Sequence, residues 1–158
     1  MIRELSIPKN RISVLIGTNG KIKKTVESNT NTKMSINDHI RIKGNALDVL
    51  NAENIIKAIG RGFSPENAIE LLDEEKTLRI IHLSSSRASL RRIRSRIIGT
   101  YGKAKHNIER LTHTKISVYG KTISIIGNYN DVEKAVNAVE KLIAGAQHKS
   151  VYKNISYH

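Results

Sequence analysis

The 158-residue sequence contains no cysteine and no tryptophan, and only 4% of its residues are aromatic. Without cysteine, the chain can form neither a disulfide framework nor a thiolate metal site. No segment approaches the roughly 18–20 uninterrupted apolar residues that a membrane helix requires. The segment Met1–Glu4 also lacks the apolar character of a signal peptide. We therefore expect a cytoplasmic protein that makes no contact with membranes.

Acidic residues are also scarce. Aspartate and glutamate together number 14 against 27 lysines and arginines, which gives a formal net charge of +13. An excess of this size attracts polyanions to the protein surface, and nucleic acid is the partner that such a basic domain most often binds. Membrane surfaces and acidic proteins are the alternatives, and charge does not distinguish RNA from DNA.

The chain contains an internal repeat. Ile16–Lys23 aligns with Ile98–Lys105, 82 positions later, and Thr32–Ile36 aligns with Thr114–Val118 at the same offset. A match of this length and order predicts two copies of one supersecondary unit. A single fold with internal pseudo-symmetry is the alternative.

The apolar pattern predicts the order β-α-α-β-β-α in each copy. In the first copy we expect a strand over Ile2–Ile7, a short helix that Asn10 caps and that ends at Ile16, and a closing helix capped by Asn45. Leu78–Leu83 is the corresponding first strand of the second copy. Each copy should form a three-stranded antiparallel sheet covered on one face by three helices, an α+β architecture.

The segment between the copies carries a helix start signal. Ser64 is a favourable N-cap, and Pro65 suits the first helical position, so we expect a helix that runs to about Leu72. We assign residues 1–62 to the first domain, 63–75 to a structured helical connector, 76–146 to the second domain and 147–158 to a C-terminal tail. The tail has weak periodicity, and we expect part of it to be mobile.

A Gly-x-x-Gly segment joins the first two predicted helices of each copy. Glycine permits backbone angles that a Cβ would forbid and lets another chain approach closely. The helix that follows begins with free N–H groups, which form an anion site. Lys21, Lys23 and Lys24 disfavour this helix start, which suggests that they attract phosphate. The second copy repeats this basic turn with Lys103, Lys105 and His106. A tight turn without a ligand is the alternative.

Both segments resemble the signature of KH domains, Ile-Gly-x-x-Gly-x-x-Ile-Lys with a later Thr-Gly before a strand. The element order is similar to that of type I, eukaryotic-type, KH domains. In that family the loop holds about four nucleotides of single-stranded RNA. This chain departs from the signature at Asn31 and His113, which replace the glycine at a helix end that needs a left-handed residue. Tyr101 is a further departure, within the second loop.

The resemblance extends to one branch of the KH family. Ile7–Arg11, Lys57–Glu66 and Ile116–Thr122 are similar to segments of the archaeal tandem-KH ribosome-assembly proteins. These are relatives of the eukaryotic "partner of Nob" factor, which acts in small-subunit assembly and rRNA processing. The resemblance implies binding near the 3′ end of small-subunit rRNA. It also implies, as partners, the Nob endonuclease and the alpha subunit of translation initiation factor two.

We expect RNA to contact the two loops, the first helical turn after each loop, and arginines that precede the second loop. Tyr101 either stacks on a base or sugar or is exposed without contacting RNA. The full set of candidate RNA-binding residues is Ile16, Gly17, Thr18, Asn19, Gly20, Lys21, Lys23, Lys24, Arg94, Arg96, Ile98, Gly99, Thr100, Tyr101, Gly102, Lys103, Lys105 and His106.

No residue pattern indicates a cofactor, a metal or catalysis. Gly120-Lys121-Thr122 is not a P-loop, because Lys115 stands where the first glycine belongs, and a hairpin turn explains the tripeptide. The six histidines lack metal-ligand spacing. We expect a non-catalytic RNA-binding protein. The alternatives are a KH adaptor in mRNA decay or transcription and an RNA-processing nuclease.

Overall fold

The computed structural model describes residues 1–83 and 86–156. It divides into two compact units, Met1–Glu74 and a second unit that begins at Glu75. Each unit contains one three-stranded antiparallel sheet with helices packed against it, so the predicted α+β architecture is confirmed. Within the described ranges, no helix is both long and apolar enough to cross a membrane.

The first unit follows the predicted order of elements. They are β1 (Ile2–Leu5), α1 (Lys9–Ile16), α2 (Lys21–Thr30), β2 (Lys33–Ile36), β3 (Ile40–Lys43) and α3 (Ala46–Gly60). The central strand β3 pairs with both β1 and β2. Its residues alternate between the two faces of the sheet, so Ile40 and Ile42 are buried while Arg41 and Lys43 are exposed.

The second unit repeats this order and then adds a helix. Its elements are β4 (Lys76–His82), α5 (Arg87–Ile98), α6 (Lys103–Thr112), β5 (Lys115–Tyr119), β6 (Thr122–Asn128), α7 (Tyr129–Ile143) and α8 (His148–Ser156). Strand β6 is central, between β4 and β5. Between the two repeats, α4 (Pro65–Ile69) continues into a 3-10 turn, Glu70–Leu72.

Two of the three predicted helix caps occupy the N-cap position. Ser64 accepts a hydrogen bond from the Asn67 N–H at 3.3 Å, as predicted for the connector helix. Asn45 is the N-cap residue of α3, although its side chain makes no capping bond. The prediction for Asn10 was wrong, because α1 begins at Lys9 with Pro8 as its cap residue. Proline fixes its own φ, and this orients the chain entering the helix.

An arginine closes the C-terminal end of α3 in the first unit. Arg11, in the first turn of α1, donates from Nε to the Ile59 carbonyl at 2.7 Å and from Nη2 to the Phe63 carbonyl at 2.8 Å. The last carbonyls of a helix have no intrahelical partner and carry partial negative charge, so a guanidinium is well matched to them. This bond pair fixes α1 against the end of α3.

Arg96 makes the same pair of bonds in the second unit from a different position. It lies in the last turn of α5, and it donates from Nε to the Leu142 carbonyl at 3.0 Å and from Nη2 to the Ala146 carbonyl at 2.5 Å. On the repeat alignment Arg96 corresponds to Val14, not to Arg11. In both units an arginine therefore binds the carbonyls at the end of a helix, but the two arginines occupy positions that are not equivalent in the repeat.

The C-terminal segment differs from the sequence-based expectation. Within the predicted tail, His148–Ser156 form the helix α8, which packs against α6 and α7. Val151 is only 1% exposed, and it anchors the helix in the core of the second unit. Its partly buried neighbours in this core, Tyr152 and Ile155, give a helical pattern too short to stand out in the sequence.

We predict that Arg96→Gln lowers the free energy of unfolding of the second unit by about 2 kcal/mol, because two hydrogen bonds from a charged donor to helix-end carbonyls are lost. Urea denaturation followed by circular dichroism measures this change. Arg91→Gln is the matched control, since Arg91 is an exposed arginine on the same helix, and its effect should stay within about 0.5 kcal/mol. Equal stability of the two variants would contradict the structural role of Arg96.

Candidate nucleic-acid interface

The two Gly-x-x-Gly loops have nearly the same backbone. Each contains a 3-10 turn, Thr18–Gly20 in the first unit and Thr100–Gly102 in the second. The φ and ψ angles of Gly17 are 73° and 177°, and those of Gly99 are 74° and 174°. The repeat seen in the sequence is therefore a repeat of one specific backbone conformation.

The first glycine of each loop is required by packing and by conformation. A Cβ on Gly17 would lie 2.4 Å from Cγ1 of Ile22, and one on Gly99 would lie 2.7 Å from Cβ of Ala104. Their combination of positive φ with ψ near 180° is essentially restricted to glycine. These glycines let the next helix start directly against the end of the previous one.

The second glycine of each loop faces open space. A Cβ on Gly20 would meet no atom within 4 Å, and one on Gly102 would meet only Cδ2 of His106, at 3.8 Å. Both glycines adopt the left-handed conformation as N-cap residues of α2 and α6, and no side chain caps either helix. The Lys21 and Lys103 N–H groups donate to the Thr18 and Thr100 carbonyls. The following N–H groups of each first turn have no intrahelical partner, and they lie beside an accessible surface that suits an anion.

The basic residues of each first turn differ in how they are paired. Lys21, Lys24 and Lys103 are exposed, and no salt bridge is found for them in the described chain. Lys23 lies 3.7 Å from the Glu27 carboxylate, and a glutamate also pairs with His106 in the second unit. One basic side chain after each loop is thus held by a glutamate, whereas Lys21, Lys24 and Lys103 extend into solvent and Lys105 is partly buried.

These glutamates connect the loop region to the sheet. Glu27 accepts a hydrogen bond from the Met34 N–H at 2.7 Å, and Glu109 accepts one from the Ile116 N–H at 2.8 Å. The sequence aligned Glu27 with Glu109, but the pattern did not reveal that both carboxylates bind the main chain of the following strand. Each glutamate fixes the distance between the helix after the loop and the strand beside it.

Buried threonines fix the corner between that helix and strand. Thr112 donates its hydroxyl to the Ile108 carbonyl at 2.6 Å, and its oxygen lies 2.8 Å from that of Thr114. His113, between them, has a φ of 57°, the left-handed conformation that the sequence indicated for this helix end. The first unit repeats the arrangement with Thr30, Asn31 and Thr32.

Tyr101 is the most conspicuous difference between the loops. It is 95% exposed, and its φ and ψ of 56° and 26° match the 57° and 28° of Asn19 in the first loop. Asparagine tolerates this left-handed conformation, whereas a bulky aromatic residue rarely adopts it. The second loop therefore presents a ring to solvent at a position where the conformation does not favour tyrosine.

The structure gathers most of the candidate RNA-binding residues around the two loops. Ile16–Lys24 surround the first loop, and Ile98–His106 surround the second. Arg94 is partly buried on α5, and its Nε has no hydrogen-bond partner. Arg96 is committed to the carbonyls of Leu142 and Ala146 through Nε and Nη2. Its guanidinium therefore has an intramolecular role that the sequence did not reveal.

The remaining motif has a structural explanation. Gly120 and Lys121 form the turn between β5 and β6, with Gly120 at a φ of 54°, as the hairpin interpretation predicted. Among the described residues, no group of three or more histidine and carboxylate side chains could hold a metal ion.

Comparisons with known proteins agree with this geometry. Residues 75–158 match the eukaryotic type KH domain, type I, and residues 2–58 match the KH domain model. A KH domain-containing protein of Methanocaldococcus jannaschii is 42% identical over 96% of this chain and 71% of that protein. The pre-rRNA-processing protein pno1 of Aspergillus oryzae is 35% identical over 65% of this chain, and the match spans 42% of its length.

A solved structure extends these similarities to the whole chain. The crystal structure of Dim2p from Pyrococcus horikoshii has a TM-score of 0.94 and 40% identity, and it covers 100% of this chain and 99% of that one. The same organism's aDim2p in a complex with a/eIF2alpha and rRNA has a TM-score of 0.93 and 43% identity, with coverage of 99% and 93%. The likeness therefore includes both repeated units.

We predict that Gly99→Ala destabilises the second unit by about 3 kcal/mol, because the new Cβ clashes with Ala104 and adopts a glycine-only conformation. Gly102→Ala should cost only about 1 kcal/mol, the strain of a left-handed alanine with free space around it. Thermal unfolding of both variants checks the order. If Gly102→Ala proved as destabilising as Gly99→Ala, the two glycines would not have the separate roles described above.

Proposed function

This chain belongs to the KH-domain family, with one KH domain in each unit, and on that premise we propose that it binds single-stranded RNA in small ribosomal subunit assembly. Its proposed role is in maturation of the 3′ end of the rRNA. The observation that carries the proposal is the pair of loops in which an open glycine, an uncapped helix start and exposed lysines lie together.

The chemistry of this arrangement suits a ribose-phosphate backbone. N–H groups at a helix start and nearby ammonium groups attract an anion, and the absent side chain at Gly20 and Gly102 leaves room for the strand. In KH domains such a loop holds about four nucleotides. Each unit would therefore hold one short single-stranded stretch.

The proposed RNA contacts are the sequence-derived candidates without Arg96, whose guanidinium is engaged within the second unit. Arg94 is partly buried and its Nε is shielded from solvent, so its proposed contact with RNA would be made by the terminal nitrogens of the guanidinium. The proposed residues lie in the segments 16–21 and 98–103, with Lys23, Lys24, Arg94, Lys105 and His106 beside them.

The proposed partners follow from the relatives. The similar archaeal protein is found in a complex with rRNA and a/eIF2alpha, which supports rRNA and this initiation-factor subunit as partners here. The family resemblance implies that the bound region is the 3′ end of small-subunit rRNA. The Nob endonuclease is a further proposed partner, which the resemblance to the "partner of Nob" factors implies, and the pno1 relatives are named as pre-rRNA-processing proteins. We propose that the chain acts without catalysis, in the cytoplasm, and that RNA cleavage belongs to a partner.

We also propose how the chain divides. Residues 1–62 and 76–146 form the two KH domains, and 63–75 form a helical connector. In the structure α4 and the following turn pack against α3, so the connector is ordered with the first unit. The C-terminal segment adds α8 to the second KH domain.

We predict that the double variant Gly20→Asp with Gly102→Asp abolishes RNA binding and leaves the fold intact. Both sites have room for a side chain, and each new carboxylate would repel the phosphates. Filter binding to an oligonucleotide from the 3′ end of small-subunit rRNA measures affinity, and circular dichroism monitors folding.

The control for this experiment carries the same change in net charge. Ala46→Asp with Asn130→Asp places two carboxylates in the exposed first turns of α3 and α7, where helix dipoles favour negative charge. The control variant should bind RNA nearly as well as the natural protein. Unchanged affinity in the glycine variant, or an equal loss in the control, would refute the proposed site.

A further inference from the structure

The second unit contains a cleft that is formed by the Gly-x-x-Gly loop together with the additional helix α8. It has a volume of about 570 Å³ and lies where the end of α5, the Gly99–Gly102 loop and the start of α6 meet α8. We call it the α8 cleft, and define it by Arg92, Thr100, Lys103, Asn107 and Tyr152. Because Thr100 belongs to the loop, the cleft adjoins the proposed RNA site directly.

The α8 cleft has the chemistry of a nucleotide site. Arg92 and Lys103 are exposed cations, and no carboxylate lines the cleft. Thr100 and Asn107 provide a hydroxyl and an amide, and Tyr152 provides an aromatic ring. Cations bind phosphate, and an aromatic face stacks on any base. A cationic ligand would fit this lining poorly, because the charged side chains of the cleft are cations.

The aromatic side of the cleft is fixed by specific contacts. Nε2 of His148 lies 2.9 Å from the Arg96 carbonyl oxygen, and the guanidinium of Arg96 binds the Ala146 carbonyl just before α8. The ring centroid of Tyr152 lies 6.2 Å from that of His148, and Tyr152 is partly buried against the core that contains Val151. Tyr152 is therefore positioned before any ligand arrives.

The α8 cleft and the strand β5 lie on different faces of α6. Lys103 and Asn107, one turn apart, line the cleft. Glu109 points elsewhere, since its carboxylate accepts the N–H of Ile116 in β5. An RNA strand held at the loop can therefore extend past the loop into the α8 cleft.

We propose that the α8 cleft binds one further nucleotide of the RNA strand that the second loop holds, with its base on Tyr152 and its phosphate near Arg92 and Lys103. This inference rests on the proposed RNA-binding function and deepens it. The helix that follows α3 in the first unit packs against α3, whereas α8 packs against both α6 and α7. The second unit should therefore recognise a longer stretch of RNA than a loop alone.

Fluorescence anisotropy with labelled RNA of two lengths tests the proposal. The probes are a tetranucleotide from the 3′ end of small-subunit rRNA and two octanucleotides that extend it on the 5′ or the 3′ side. One extended probe should bind the natural protein about tenfold more tightly than the tetranucleotide, the gain expected from stacking one base. Tyr152→Leu should remove this gain and leave tetranucleotide affinity unchanged, and Arg92→Gln should reduce the gain.

Matched controls are available in the same unit. Tyr129→Leu alters a tyrosine of α7 that is 68% exposed, and Arg91→Gln alters the arginine next to Arg92 that does not line the cleft. Both should retain the length-dependent gain. If Tyr152→Leu binds both extended probes as the natural protein does, or weakens all three probes equally, the proposed nucleotide site is wrong.

A measurement on the unmutated protein gives an independent test. Extended probes with 4-thiouridine in the added nucleotides should crosslink to the peptide that contains Tyr152. Crosslinks that avoid α8 would overturn the inference. Binding of an acidic peptide in the cleft, together with RNA affinity that does not depend on Tyr152, would also overturn it. If the natural protein binds none of the probes, the proposed RNA-binding function itself fails, and this outcome is distinct from the loss of the length effect alone.

Discussion

The close contact between two helices at a glycine is the constraint on which the rest of each unit depends. At Gly17 and Gly99, a Cβ would overlap the residue five positions later, so only glycine lets the second helix begin where it does. This arrangement leaves the start of α2 and α6 without a side-chain cap and beside open space. The geometry that allows tight packing is thus the same geometry that exposes an anion site.

Several polar contacts hold this arrangement against the sheet. The carboxylate of Glu109 binds the main chain of β5, the Thr112–Thr114 pair fixes the corner, and Arg96 ties α5 to the end of α7. Most of these groups are partly or fully buried, where an unpaired polar group would be costly. They orient the loop, and none of them is among the proposed RNA contacts.

The two units share a backbone but not a surface. Asn19 and Tyr101 have the same backbone angles, yet only the second loop exposes an aromatic ring. The second unit alone is followed by α8, which adds Tyr152 beside the loop. The shared backbone would let each loop hold the phosphate backbone of RNA. The additional aromatic residues would let the second unit alone contact bases as well.

The sequence alone determined the repeat, the order of strands and helices, the two loops and the Ser64 cap, because each depends on local spacing or on a backbone angle that few residue types adopt. The cap of α1 and the helix α8 were not predicted correctly, since Asn10 and the short pattern around Val151 give weak local signals. Only the tertiary structure could assign Arg96, because its carbonyl partners lie 46 and 50 residues away and no local spacing encodes them. The α8 cleft was likewise decided by packing, which brings α8 against the neighbouring helices α5 and α6 although it is distant from them in the chain.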